Sequence, residues 1–173
     1  MRERHAARDV RRAREFEAFV AGAAGRLLHA ATLLTAEAPD DNPHARRLLT
    51  RSLAHTYVCW DRLRGEDPYD RARQYLATRF AREVRHRRRG PGRGRGRPAG
   101  PLAGLGPRER LVLVLRLYEG VAEEQAAALL GLERERIRTV CDRATATLLH
   151  APARGAREVP GAPGTSGARR GQR

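Results

Sequence analysis

The chain has 173 residues, 40% of them hydrophobic and 32% charged, and carries a formal net charge of +15. That length allows one domain or two small ones, and the composition suits compact helical cores. No continuous run of about 18 apolar residues is present, which argues against membrane insertion. The opening MRERHAARDVRRAR also lacks the apolar core of a secretory signal, so a cytoplasmic chain is expected.

All 35 Lys+Arg residues are arginine. A surface of that sign attracts polyanions, with nucleic acid the first candidate. Cys59 and Cys141 stand far apart and neither belongs to a C-x-x-C pair, so neither a zinc site nor a disulfide framework is expected. His55 and Cys59 are four apart and could face one another on a helix, a spacing that two metal ligands can share. No Ser-His-Asp arrangement, paired-acid motif or dinucleotide fingerprint occurs, so no enzyme, catalytic residue or cofactor is expected.

In chain order, residues 1–13 read as a charged lead-in, frayed or disordered. A first helix is expected from about Arg14 to Leu34, with Phe16, Phe19, Val20, Ala23, Leu27, Ala30, Ala31 and Leu34 forming one apolar stripe. The run Ala38-Pro-Asp-Asp-Asn-Pro43 is a turn by its chemistry. A second helix starts near Pro43 with Asn42 as N-cap, and Leu49, Leu53, Thr56, Tyr57, Trp60 and Leu63 line its buried face. Gly65-Glu-Asp-Pro68 breaks it. A third helix runs from about Tyr69 to Arg87, with Tyr69, Ala72, Leu76, Phe80 and Val84 inward. These three helices define a first unit at 12–88.

The composition then shifts. Arg85 to Arg97 holds seven arginines interleaved with glycine and proline, a stretch unable to bury a core. Residues 89–101 are therefore read as a flexible basic linker, which on its own would also suit RNA or nucleoid binding. A second unit, 102–150, opens on Gly106 as N-cap, Pro107 at the first helical position and Glu109 in the first turn. Leu111–Leu115 has the composition of a strand, but the proline start favours a helix ending at Gly120. Residues 151–173 read as a disordered tail.

Within that unit, Val121–His150 reads as two helices joined by a tight turn. Gly131 supplies the left-handed C-terminal position. Ala126, Ala127 and Leu130 before it, and Leu132, Ile137 and Val140 after it, are the apolar or small positions that two crossing helices need. Leu129, Leu148 and Leu149 complete the predicted core. Arg134, Arg136, Arg138, Thr139 and Arg143 give the second helix a basic flank. A plain helical hairpin of a bundle satisfies part of the same pattern.

FEAFVAGAAGRLLHAATLLT, AHTYVCWDRLRGEDPYDRARQYLATRFAR and LAGLGPRERLVLVLRLYEGVAEEQAAALLGLERERIRTVCDRATATLLH, in that order, resemble the extracytoplasmic-function (ECF) sigma factors, in actinobacterial-like form. The resemblance covers about 14–150 and is strongest from Leu102 to Gly120 and in the helix-turn-helix. It implies an all-α fold of two small helical domains, with promoter DNA and the bacterial RNA polymerase core as partners and an anti-sigma factor as a further one. On the residues, it implies that Arg134, Glu135, Arg138 and Thr139, with Arg136 and Arg143 beside them, face the upstream promoter element. Arg108 and Arg110 would meet backbone phosphate. Arg62, Arg64, Arg71 and Arg73, around the Arg64–Asp70 loop, would meet the downstream element. Tyr57 and Trp60 are read as packing in the core rather than stacking on DNA. The polymerase-docking helix maps onto Arg47, Leu48, Thr50 and Arg51. There the family usually carries an acidic D-L-x-Q pattern, and this chain is basic.

Overall fold

A computed structural model describes residues 2–63, 65–87 and 98–150 of the chain. Among them the secondary structure is helical throughout: α1 (Arg2–Thr35), α2 (Pro43–Cys59), a 3-10 turn (Trp60–Arg62), α3 (Pro68–Arg87), α4 (Pro107–Leu113), α5 (Glu123–Leu130) and α6 (Arg134–Leu149). The fold is all-α, as the sequence predicts. The tail at 151–173 and most of the 89–101 segment lie outside the described residues.

α1 begins earlier than its apolar pattern does, taking in the charged lead-in. Arginine, alanine and glutamate are good helix formers, and the added turns are tied down. Arg11 lies 3.7 Å from Glu15 one turn on, and Arg12 donates to the Tyr57 carbonyl at 2.6 Å and pairs with Asp61 at 3.4 Å. By length and composition α1 would pass for a membrane span, a test that the continuous-run criterion misses. Its stripe is covered instead. Ala23, Leu27, Ala30, Ala31 and Leu34 are at most 7% exposed and face the other helices.

The cap of α2 differs from expectation. The Asn42 side chain accepts no backbone N–H of the helix; its Oδ1 accepts from Arg46 Nε at 2.9 Å and its amide donates to Pro39 O and Thr32 Oγ1. The capping acceptor is Glu37, whose carboxylate takes the N–H groups of His44 (3.1 Å) and Ala45 (2.8 Å). Burial alone would raise the Glu37 pKa, but these bonds, one from Thr35 and the neighbouring His44 hold it below the usual carboxylate value. Glu37→Ala should therefore cost about 1 kcal/mol at neutral pH. Because the folded-state pKa is the lower one, the contribution is complete above the unfolded value of about 4.3 and fades as pH falls through the folded value. Urea midpoints of the two proteins, apart at pH 7, should converge as the pH drops below 4.

α1, α2 and α3 close the predicted bundle, with Ala45, Leu48, Leu76, Ala77 and Phe80 at most 3% exposed. Leu48, assigned by resemblance to a docking surface, is thus a core residue at 1% exposure: the polar positions either side of it face solvent, and its own face meets α1 and α3. Tyr57 is 37% exposed, but Tyr57 and Trp60 pack edge-on against Phe16, at 4.9 and 5.2 Å between ring centroids.

The second unit does not stand apart from the first. Ala30, Leu34, Leu76 and Phe80 share one continuous core with Leu102, Leu105, Leu111, Val112 and Leu115. The strap leading into α4 is sewn to the end of α1, where Ala36 adopts a left-handed φ of 54° and its carbonyl accepts from Ala99 (3.0 Å) and Gly100 (3.1 Å). A Cβ on Gly100 would lie 2.7 Å from the Glu37 carbonyl oxygen, which is backbone and cannot swing away. Gly100→Ala should destabilise by about 1–3 kcal/mol, the usual range for overpacking, read as a lower thermal midpoint. A wild-type midpoint would mean that the strap is not held here.

α4 starts as predicted, with the Glu109 carboxylate accepting the Gly106 N–H at 2.8 Å. Leu111–Leu115 is helical. The helix widens into a π turn at Val114–Tyr118, where the Glu119 N–H reaches Val114 O at 2.9 Å, and it ends at Gly120 with φ 66°. Leu117, outside the buried stripe, is 60% exposed. The widened turn aims Glu119 inward. Its side chain is 1% exposed, both carboxylate oxygens accept the Tyr69 hydroxyl at 3.0 Å, and Arg26 lies 3.4 Å away. Burial, with Glu119 beside it, pushes the Tyr69 pKa well above its ordinary range.

Candidate nucleic-acid interface

α5 and α6 cross where the small residues predict. Ala126, Ile137 and Ala144 are fully buried and Ala127 nearly so. Gly131 takes φ 63°, and the Leu132 N–H bonds back to Ala127 O at 3.0 Å, closing α5 and redirecting the chain into α6. Two expected core positions turn outward, Leu132 at 42% and Leu149 at 78% exposed, because each lies past the end of the face its helix buries.

With its buried side fixed by Ile137 and Ala144, α6 presents all six of its own residues assigned to DNA: Arg134, Glu135, Arg136, Arg138, Thr139 and Arg143 are exposed. They fall on two flanks. Arg134 and Arg138 lean towards α5, 3.5 and 3.1 Å from Glu123, and Arg134 also meets Glu124 at 3.0 Å. Arg136, Thr139 and Arg143 line a hollow of about 360 Å³ shared with Arg108 at the start of α4. Glu135 sits on the outer surface, 3.2 Å from Arg138, and Arg143 is 3.5 Å from Glu109. At such exposure each pair is worth under about 1 kcal/mol, so a phosphate or base edge can displace it.

Arg110 is a correction. Expected on phosphate, it is 7% exposed and turned inward, its Nε donating to Leu34 O at 2.8 Å and its Nη1 to Leu105 O at 2.7 Å. It lies three residues from Pro107, on the inner side of the first turn, and answers one carbonyl left open at the end of α1 and one in the strap before α4. Arg108, two positions back, is exposed.

The residues assigned to the downstream element do not gather into one site. Arg62 is exposed on the 3-10 turn, and Arg64 lies outside the described residues. Arg71 pairs with Glu66 at 3.3 Å. Arg73, two positions on and so on another side of α3, keeps only 14% of its side chain exposed beside Asp70 at 3.0 Å. On α2, Arg47, Thr50 and Arg51 face solvent. Among the described residues no group of three or more His, Cys, Asp or Glu is placed to hold a metal ion. Cys59 Sγ lies 3.9 Å from His55 Nε2, while the His55 ring stacks on Tyr75.

Reading the sequence alone missed the acidic partners of α6. Glu123 precedes Arg138 by 15 residues, and only the crossing of two helices brings them together.

Two short helices crossing on small side chains, the second exposed and basic, define a DNA-binding helix-turn-helix. The family model of sigma-70 region 4 matches residues 102–148, which spans α4, α5 and all but the last residue of α6. That segment is similar to sigma-70 region 4, the DNA-binding helix-turn-helix of sigma factors. No curated protein and no solved structure matches the chain.

Proposed function

We propose that the chain is a cytoplasmic, non-enzymatic sigma factor of the ECF type, which brings bacterial RNA polymerase to promoters by reading an upstream element through α6. The observation that carries this is the exposed row Arg134–Arg143 on the second helix of a segment similar to region 4. Arginine pairs bidentately with guanine O6 and N7 or with phosphate, so the row has the chemistry to read bases and to set register. The first helical unit would then engage polymerase and the opened DNA, the polymerase doing the chemistry, with an anti-sigma factor as a further partner.

One observation favours a second reading, a sigma-derived regulator that binds DNA without serving as a polymerase subunit. The exposed polar positions of α2 near its start are Arg46, Arg47, Thr50 and Arg51, a basic face where the resemblance calls for an acidic D-L-x-Q pattern. Mixing the purified chain with core polymerase separates the two. Co-elution and run-off transcription from a promoter selected by the chain are expected of a sigma factor. Retained duplex binding without co-elution would overturn that reading and leave the regulator.

A further inference from the structure

We propose that the exposed face of α2 and α3 is a second nucleic-acid surface, which takes the phosphate backbone of duplex DNA. It stands independently of the reading of α6. Arg47 and Arg51 lie one turn apart on α2, and Arg79, Arg82 and His86 follow one another at three and four residues on α3. With His44 they line an open groove of about 580 Å³ between the two helices.

Among the described residues lining the groove, the one carboxylate is Glu83. It lies 2.8 Å from His44 Nε2, 3.4 Å from Arg79 Nε and 3.6 Å from Arg51 Nη1. One acid fixes three basic side chains and leaves the face strongly positive. Arg47 and Arg82 have no carboxylate partner among the described residues.

The basic row does not end with this groove. Arg79 and Arg82 also line an adjoining hollow of about 310 Å³ that reaches Arg71 and the stacked His55–Tyr75 pair. From Arg71 to His86 the row runs about 22 Å along α3, at 1.5 Å per residue. That length matches a polymer of regularly spaced phosphates better than a compact ligand. Guanidinium groups on both walls can take the successive phosphates of a backbone ridge lying between them. A folded protein partner fits less well, since interface cores are depleted of charge and built on apolar anchors. No α6 residue lines either hollow, so one chain would hold a duplex on α6 and a second stretch of duplex on α2–α3.

The test compares the full chain with R47Q/R82Q, which removes the two unpaired guanidiniums and leaves the Glu83 cluster in place. The probe is a short random-sequence duplex, titrated over a range of salt. Losing two phosphate contacts should flatten the slope of log affinity against log salt by about two. Capture of a second, labelled duplex by chain already bound to an immobilised one should fall at least tenfold. R134A/R138A, altered on α6 alone, should keep the share of the slope that R47Q/R82Q removes, so failure of the α6 reading would look different. An unchanged slope with undiminished capture would overturn the proposal. So would a loss confined to single-stranded probe, or to core polymerase, with duplex binding intact.

Discussion

Arg110→Ala should lower the unfolding free energy by about 3 kcal/mol, one of the two largest effects expected in this chain. The side chain is charged, 7% exposed, and spends its donors on Leu34 O at the end of α1 and Leu105 O in the strap. Alanine would leave two buried carbonyls without a donor, each at about 1–3 kcal/mol, and would remove the packed stem as well. Burial lowers the pKa of the guanidinium, yet arginine stays protonated near neutral pH, so the loss should not depend on pH there. Arg110→Met, which keeps the stem and loses only the donors, should fall between the alanine variant and the parent. The single tryptophan, Trp60, reports on the first unit, while far-UV circular dichroism reports on all helices. In the parent the two urea transitions should coincide, because the units share a core. In Arg110→Ala they should separate. A variant that unfolds at the parental midpoint with coincident transitions would show that Arg110 does not join the units.

That joining is what the linear sequence conceals. Features governed by spacing along one helix are legible in the order of residues itself: the stripe of α1, the inward positions of α3, the Gly106-Pro107-Glu109 start of α4, and the small residues around Gly131. Each is fixed by neighbours within about four residues. The contacts between the units obey no such period. Arg26 meets Glu119 and Tyr69 meets Glu119 across 93 and 50 residues, and Arg110 meets Leu34 across 76. A basic residue flanking a helix-turn-helix reads as a phosphate contact when its side of the helix is unknown, and only the placement of α1 shows that Arg110 points inward. The substitution of glutamate for asparagine as the cap of α2 has the same origin. Any acceptor that the preceding loop brings to the first turn will serve, and the loop places Glu37 there.

On the interface itself, Arg134→Ala together with Arg138→Ala should weaken binding to a selected duplex by two to three orders of magnitude. A single lost base contact is worth about 1–3 kcal/mol, and the two side chains lie one turn apart and share Glu123, so their losses couple rather than simply add. Their carboxylate neighbour sharpens the expectation. Glu123 sits 3.5 and 3.1 Å from the two guanidiniums and would lie close to the phosphates of any bound duplex. Binding DNA must release those pairs or carry the acid into a negative field. Glu123→Gln should therefore tighten binding to every duplex, selected or not, and leave the ratio between them nearly unchanged. Arg134→Ala/Arg138→Ala should lower that ratio by losing affinity for the selected sequence alone. Fluorescence anisotropy of matched and scrambled duplexes at one fixed salt concentration reads both effects. If the double variant lost the same affinity for both sequences, Arg134 and Arg138 would be phosphate contacts, and the reading of bases would have to rest on Glu135, Thr139 and the Arg136–Arg143 flank.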